Sequence, residues 1–299
     1  MMMVRKTMAM KWEGKNSNNA CRFETWSFEG SDKLHLAAYK WLPLGETKAV
    51  AVLVHGLGEH ALRFIEYASF FASQGTATFS MDLPGHGRSP GKRGHMGDRA
   101  LLLKYIEGLM EAASAQYPGR PLFLYGHSMG GTLVLSHRLL GKIRPDGYIV
   151  TSPWLMLKRP VSRSTEKLLK GLAHFKPDII IRSPLNLNAV TSVPEEISLY
   201  REDSLLHSSI SLQTAVECWD SANEILRRGR EKRGRFLLFH GTDDRICLVE
   251  GSRKLALLAQ EECIYREWPQ NRHELQHDRD KLRVRQAIAQ FMEDADKNL

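Results

Sequence analysis

Three groups able to carry out acyl transfer stand in this chain in settings that suit the chemistry: a serine between glycines, an acidic turn, and a histidine in a polar loop. The serine lies in Leu122-Phe-Leu-Tyr-Gly-His-Ser-Met-Gly-Gly131, a Gly-x-Ser-x-Gly pattern that follows an apolar strand and precedes a helix. A serine raised on a sharp strand-to-helix turn needs small neighbours, because the chain folds back tightly there. Gly126 and Gly130 supply that room. A helix beginning at Ser128 aims its N–H groups and dipole at the reacting centre. The alternative is a glycine turn without chemistry. The strand before it and the helix after it favour a nucleophile.

A nucleophilic serine needs a base, and the base needs an orienting group. Downstream, Phe236-Leu-Leu-Phe-His-Gly-Thr-Asp-Asp-Arg245 is a strand running into an acidic turn with Asp243 and Asp244. Further on, Trp268-Pro-Gln-Asn-Arg-His-Glu-Leu-Gln-His-Asp278 places His273 and His277 after the last strand. Both segments sit just past carboxyl ends of strands, where open α/β sheets place their sites. Acyl transfer also needs two backbone N–H groups to receive the oxyanion, one after the nucleophile and one from an early loop. Met129 is the first candidate, and Leu57 in Val52-Leu-Val-His-Gly-Leu-Gly-Glu-His60 is the second. His55 invites a catalytic role, but holding that loop is the better reading of it.

The elements that must position these groups follow from hydrophobic patterning. Phe23 to Phe28 and Leu34 to Trp41 read as a β-hairpin. Ala49–Val54 is a continuous apolar run, as expected of a strand covered on both faces. Strands follow at Thr76–Met81, Pro121–Tyr125, Tyr148–Thr151, Phe236–Phe239 and Cys263–Trp268. Helical spacing occupies Ala61–Ser73, Arg99–Ala115, Ser128–Leu140, Val249–Ala259 and Lys281–Glu293. This alternation predicts an α/β fold with a mostly parallel eight-stranded sheet flanked by helices. Residues 21–152 and 235–299 form its core, residues 1–20 a loose leader, and residues 153–234 a helical insertion without a recognisable strand, punctuated by Pro160, Pro177, Pro184 and Pro194.

Composition narrows the remaining classes. With 299 residues, 42% hydrophobic and 25% charged, the chain is ordinary globular material and long enough for a large core. The longest apolar run has six residues, whereas a bilayer span needs about 20. No apolar stretch of signal-peptide type follows Arg5, Lys6, Lys11 and Lys15, so the expected location is cytoplasmic. Cys21, Cys218, Cys247 and Cys263 match no zinc spacing and read as packed free thiols. His273, His277 and Asp278 imply no further ligand, so no metal is expected, and no cofactor either. The glycine-rich Asp82–Ser89 lacks phosphate-loop spacing and reads as a structural turn. The charge balance of 42 − 34 = +8 comes without an aromatic-studded basic stripe, which argues against nucleic acid.

The motifs together resemble the monoacylglycerol lipase and lysophospholipase group of the α/β-hydrolase superfamily. They are His55-Gly-Leu-Gly-Glu-His60, Asp82-Leu-Pro-Gly-His-Gly-Arg-Ser89, Gly126-His-Ser-Met-Gly-Gly131, Gly241-Thr-Asp-Asp-Arg245 and His273-Glu-Leu275, in the expected order. The resemblance implies a catalytic triad of Ser128, Asp244 and His273, with Asp243 the rival acid and His277 peripheral. The gaps, 244 − 128 = 116 and 273 − 244 = 29, leave room for the insertion as a lid-like cap. Its Tyr200-Arg-Glu-Asp-Ser-Leu-Leu-His207 looks like the family's cap, with Ser204 where members often carry proline. The implied substrates are monoacylglycerols, lysophospholipids or related single-chain esters. A thioesterase, perhydrolase or carbon–carbon hydrolase would use the same triad, and a non-catalytic binding protein would not need it.

The stretch from Lys158 to Arg182 carries seven Lys or Arg against Glu166 and Asp178, +7 − 2 = +5 within 25 residues. Leu155, Leu157, Val161, Leu168, Leu169, Leu172 and Phe175 interleave at near-helical spacing. One expectation is a cap helix whose apolar face covers the pocket and whose basic face is solvated. The other is that the basic face docks on an anionic lipid surface.

Overall fold

The computed structural model describes residues 21–182 and 186–296, so the expected leader at 1–20 lies outside the described residues. Among these residues the strands β1 (Arg22–Glu29), β2 (His35–Leu42), β3 (Ala49–Val54), β4 (Thr76–Met81), β5 (Leu122–His127) and β6 (Gly147–Thr151) belong to one sheet. They are joined there by Phe236–Gly241 and Cys263–Trp268, which become β9 and β10 once the two short strands between are counted. The order is β1-β2-β4-β3-β5-β6-β9-β10, with the hairpin strands antiparallel and every pair from β4 onward parallel. β3, β5, β6 and β9 are buried along their whole length, which is why they read as unbroken apolar runs.

Helices cover both faces. On one, Leu102, Ile106 and Leu109 and, from the helix after Ser128, Val134 pack against Val52, Phe79 and Leu124. On the other, Tyr67, Phe71, Val284 and Ile288 pack against Leu53, Phe123 and Phe239. The helix Arg99–Gln116 starts where the Asp98 carboxylate accepts the Leu101 N–H at 2.8 Å, a side-chain cap.

Between β6 and β9 the chain leaves the sheet and returns to the neighbouring position in parallel. This excursion contains the helices Arg163–Phe175, Leu187–Val190, Pro194–Glu202 and Leu212–Arg227. It also contains two strands that sequence patterning does not reveal. Ile180–Arg182 (β7) and Ser209–Ser211 (β8) pair antiparallel as a separate ribbon. Three residues are too few to show the alternation that marks a strand. Helix Arg163–Phe175 also departs from the cap expectation. None of its residues is buried; Leu169 reaches the pocket described below, while Leu168 and Phe175 are 71% and 78% exposed. No helix among the described residues is long and apolar enough to cross a membrane.

Candidate active site

Strand register brings the distant motifs together. Val54 at the end of β3 lies opposite Gly126 of β5, so the His55–His60 loop runs beside Ser128. Gly241 of β9 lies opposite Trp268 of β10, which sets the Asp244 turn against the His273 loop. Ser128 itself sits at φ +54°, a left-handed conformation that costs a non-glycine residue energy and recurs at functional turns. The two flanking glycines are required by space. A Cβ on Gly126 would stand 2.4 Å from the Gly130 carbonyl oxygen, and one on Gly130 would stand 2.2 Å from that of Val54.

The side chains form a hydrogen-bonded series. The Ser128 hydroxyl donates to His273 Nε2 at 2.9 Å, and His273 Nδ1–H donates to Asp244 Oδ2 at 2.7 Å. Asp244 is buried, and its Oδ1 accepts the N–H groups of Ile246 and Cys247 at 2.8 and 2.9 Å. Its Oδ2 also accepts from His240 Nε2–H at 3.0 Å. Burial alone would raise the Asp244 carboxyl, but the charge of and bonds from His273 and His240 hold it well below the ordinary carboxylate range. The effect on His273 is the converse. Burial opposes its charge, yet the Asp244 charge and hydrogen bond leave the imidazole above its usual value. Asp243, the rival acid, is exposed and points no oxygen at this histidine in the bonds described.

Met129 opens the helix Met129–Leu140, so its N–H is one of the groups a helix start leaves without an intrahelical partner. Leu57 lines the same cavity as Ser128 and His273. Its loop is held by His55, whose Nδ1–H donates to the Gly56 carbonyl at 2.8 Å and whose Nε2 accepts the Leu83 N–H at 2.9 Å. Both nitrogens are thus engaged in structure, and burial lowers the His55 pKa to about 4. The Asp82–Ser89 turn is built around Asp82, whose carboxylate accepts from the Ala61 and Arg88 N–H groups and the Tyr39 hydroxyl. Cys247 is buried, and its backbone, not its thiol, meets Asp244.

A second polar cluster adjoins the first and is absent from the sequence reading. Arg63 is buried, pairs with Glu274 and lies 3.7 Å from Glu59. His277 is no peripheral residue. It is buried, its Nε2–H donates to the Arg63 carbonyl at 2.9 Å, and its Nδ1 lies 2.8 Å from Glu274. Burial and the nearby Glu274 charge push the Glu59 carboxyl up, whereas burial of Glu274 is outweighed by Arg63 and His277, which hold it down. His127 lies beside the base, its ring 5.0 Å from that of His273. The sequence signal for this cluster is slight: Glu59 and Glu274 fall inside the two motif loops, and Arg63 and His277 follow within a few residues of them. No group of three or more His, Cys, Asp or Glu among the described residues is arranged to hold a metal ion.

Above Ser128 opens a cavity of about 330 Å³, within the usual range for small-molecule sites. Its walls are largely apolar, including Trp154, Leu157, Leu169, Val190, Trp219 and Ile246, and no Lys or Arg is among the described residues lining it.

Comparison with known proteins agrees with this geometry. Residues 45–280 match the family described as serine aminopeptidase, S33. The monoacylglycerol lipase of Mycolicibacterium smegmatis is 29% identical over 254 residues, covering 83% of this chain and 89% of that one. The human monoglyceride lipase is 29% identical over 235 residues, covering 77% and 76%. The crystal structure of the monoacylglycerol lipase of Paleococcus ferrophilus superposes with a TM-score of 0.79 at 28% identity, covering 87% of this chain and 99% of that one. Fold, motif order and these matches together show that the chain belongs to the serine aminopeptidase S33 family, as a monoacylglycerol-lipase-like serine hydrolase of the α/β-hydrolase superfamily.

Proposed function

We propose that this carboxylic ester hydrolase cleaves neutral single-chain acyl esters of the monoacylglycerol type through an acyl-enzyme on Ser128. The observation that carries the reading is the Ser128–His273–Asp244 series at the floor of an apolar cavity. Ser128 Oγ attacks the acyl carbonyl as His273 Nε2 takes its proton. Asp244 holds the imidazole tautomer and stabilises the imidazolium. The oxyanion is received by the N–H groups of Leu57 and Met129. His273 returns the proton to the departing alcohol, and water, activated by the same histidine, releases the acid.

The polar cluster supports a neutral headgroup. Glu59, Tyr200 and Glu274 line the cavity, and the nearby guanidinium of Arg63 is already engaged by Glu274. Charge-assisted bonds from a free Arg or Lys are the strong contacts to a phosphate, and no such side chain is among the described residues lining the cavity. A neutral polyol, which only needs donors and acceptors, is favoured over a phosphorylated head. The cap supports contact with a lipid surface. Leu168, Leu172 and Phe175 are exposed on the helix that also carries Arg163 and Lys167. Lys170 is not part of that free basic face, being paired with Glu166 and Asp220.

One experiment tests both halves: the same acyl chain as monoacylglycerol and as lysophosphatidate in anionic vesicles, beside a short soluble ester. The monoacylglycerol is expected to turn over at least about tenfold faster than the lysophosphatidate, roughly the value of one charge-assisted contact. Lys167→Glu with Phe175→Ser is expected to slow hydrolysis in vesicles and leave the soluble ester nearly unchanged, since each surface-proximal cation contributes about 1 kcal/mol. Equal rates on the two lipids overturn the headgroup assignment. An unchanged vesicle rate overturns the surface contact.

The pH profile checks the base. Only neutral imidazole accepts the Ser128 proton, and the His273 pKa is raised by Asp244. The acid limb of kcat/KM is therefore expected at higher pH than for an ordinary histidine. His277→Ala retains the limb, whereas His273→Ala removes limb and activity together; activity with an intact limb in His273→Ala would mean another base.

A further inference from the structure

The segment Tyr200–His207, which runs from the last residues of the helix Pro194–Glu202 toward β8, touches the His55–His60 loop at Gly58 and His60 and the adjoining Arg63. The Tyr200 ring lies 4.9 Å from the Arg63 guanidinium. His60 Nε2–H donates to Asp203 Oδ2 at 2.8 Å, and both side chains are buried. The His207 N–H donates to the Gly58 carbonyl at 3.0 Å. The fit at the last point is close: a Cβ on Gly58 would stand 2.2 Å from the His207 carbonyl oxygen, and Gly58 itself sits at φ +76°. The second oxygen of Asp203 accepts the Leu205 N–H at 2.9 Å, so one carboxylate joins the turn it belongs to with the loop it faces. Burial opposes its charge, yet the bond and charge of His60 keep the Asp203 carboxyl below its ordinary value.

Leu57 lies between the two anchors of this loop. On the core side His55 ties the loop to Leu83, and within the loop the Gly56 N–H donates to Glu59 Oε1. On the other side the anchors at Gly58 and His60 come from the excursion between β6 and β9. We propose that Asp203 is a positioning residue for acyl transfer: through His60 it fixes the direction of the Leu57 N–H, so that residues 200–207 brace the oxyanion hole from outside. The inference rests on the function proposed above, because it needs Leu57 to receive the oxyanion.

The test uses the full chain, Asp203→Ala and Asp203→Asn, a short soluble ester and a fluorophosphonate whose phosphoryl oxygen must enter the same hole. Complete loss of an oxyanion donor costs about 10²- to 10³-fold in kcat, and a displaced donor costs less. Asp203→Ala is therefore expected to lower kcat roughly 10- to 100-fold with KM changed less than about threefold. The second-order labelling rate should fall in proportion, and the end point should stay at one label per chain. Asp203→Asn keeps an oxygen facing His60 and is expected to lose only about three- to tenfold. A role limited to holding the cap's shape would raise KM and leave kcat and labelling unchanged. That result in either folded variant overturns the proposal, and Asp203→Asn decides alone if the alanine variant does not fold. An active wild type with unaffected variants overturns this inference only. A wild type neither active nor labelled overturns the parent reading and this one with it.

Discussion

Ser128→Ala is expected to lower kcat on a soluble ester by about 10⁵- to 10⁶-fold, because members of a nucleophile–base–orienter unit act together and the loss of one removes most of what all contribute. The cost in stability should be small. Ser128 is 8% exposed and opens on the cavity, so removing its hydroxyl leaves His273 Nε2 facing a space that water can enter. The turn's geometry is not at stake, since alanine meets the same φ of +54° with the same Cβ. The measurement is kcat beside the melting temperature, on protein freed of wild-type contamination. Turnover within tenfold of wild type would overturn the mechanism.

Asp244→Asn is expected to cost about 10⁴-fold in kcat, and Asp243→Asn only a few fold. An amide nitrogen in place of Oδ2 meets His273 Nδ1 as a donor. The imidazole is then driven to the tautomer whose Nε2–H points at Ser128 and cannot accept its proton. A second consequence is particular to this site. His240 Nε2–H is also directed at Oδ2, so this donor meets the N–H of the new amide inside a buried pocket. The substitution should therefore lower stability by about 1–3 kcal/mol, the cost of unsatisfied buried donors, where Asp243→Asn leaves it unchanged. Steady-state kinetics and thermal melting on the two variants give both readings, and the reverse ranking would move the acid to Asp243.

Most of the sheet is legible because the covered parallel strands leave a plain mark. Ala49–Val54 is apolar at every position and buried at every position. The elbow is legible because its glycines are forced by contacts at Gly126 and Gly130 that no side chain survives. What the sequence does not disclose has two physical causes. The ribbon β7–β8 is too short for periodicity, and its partners are held by position in the excursion more than by pattern. The buried ionic groups are hidden because charge in a loop ordinarily faces water. Nothing in the spelling of Glu59, Arg63, Glu274 and His277 says that they meet, since Arg63 and Glu274 are 211 positions apart. His60 and Asp203 are 143 apart, and each lies in a motif segment whose pairing only the fold reveals. His240 is the nearest miss. It stands inside the strand that leads to Asp244, yet the pattern there reads as apolar core and gives no reason to expect an imidazole bonded to the acid.

The most direct measurement is the mass of the intact chain after reaction with a fluorophosphonate, followed by location of the adduct in a peptide digest. A single phosphonyl group per chain, carried by the peptide containing Ser128 and absent from Ser128→Ala, is the expected result. No adduct on an otherwise folded chain, or an adduct on another residue that persists in Ser128→Ala, would contradict Ser128 as the nucleophile.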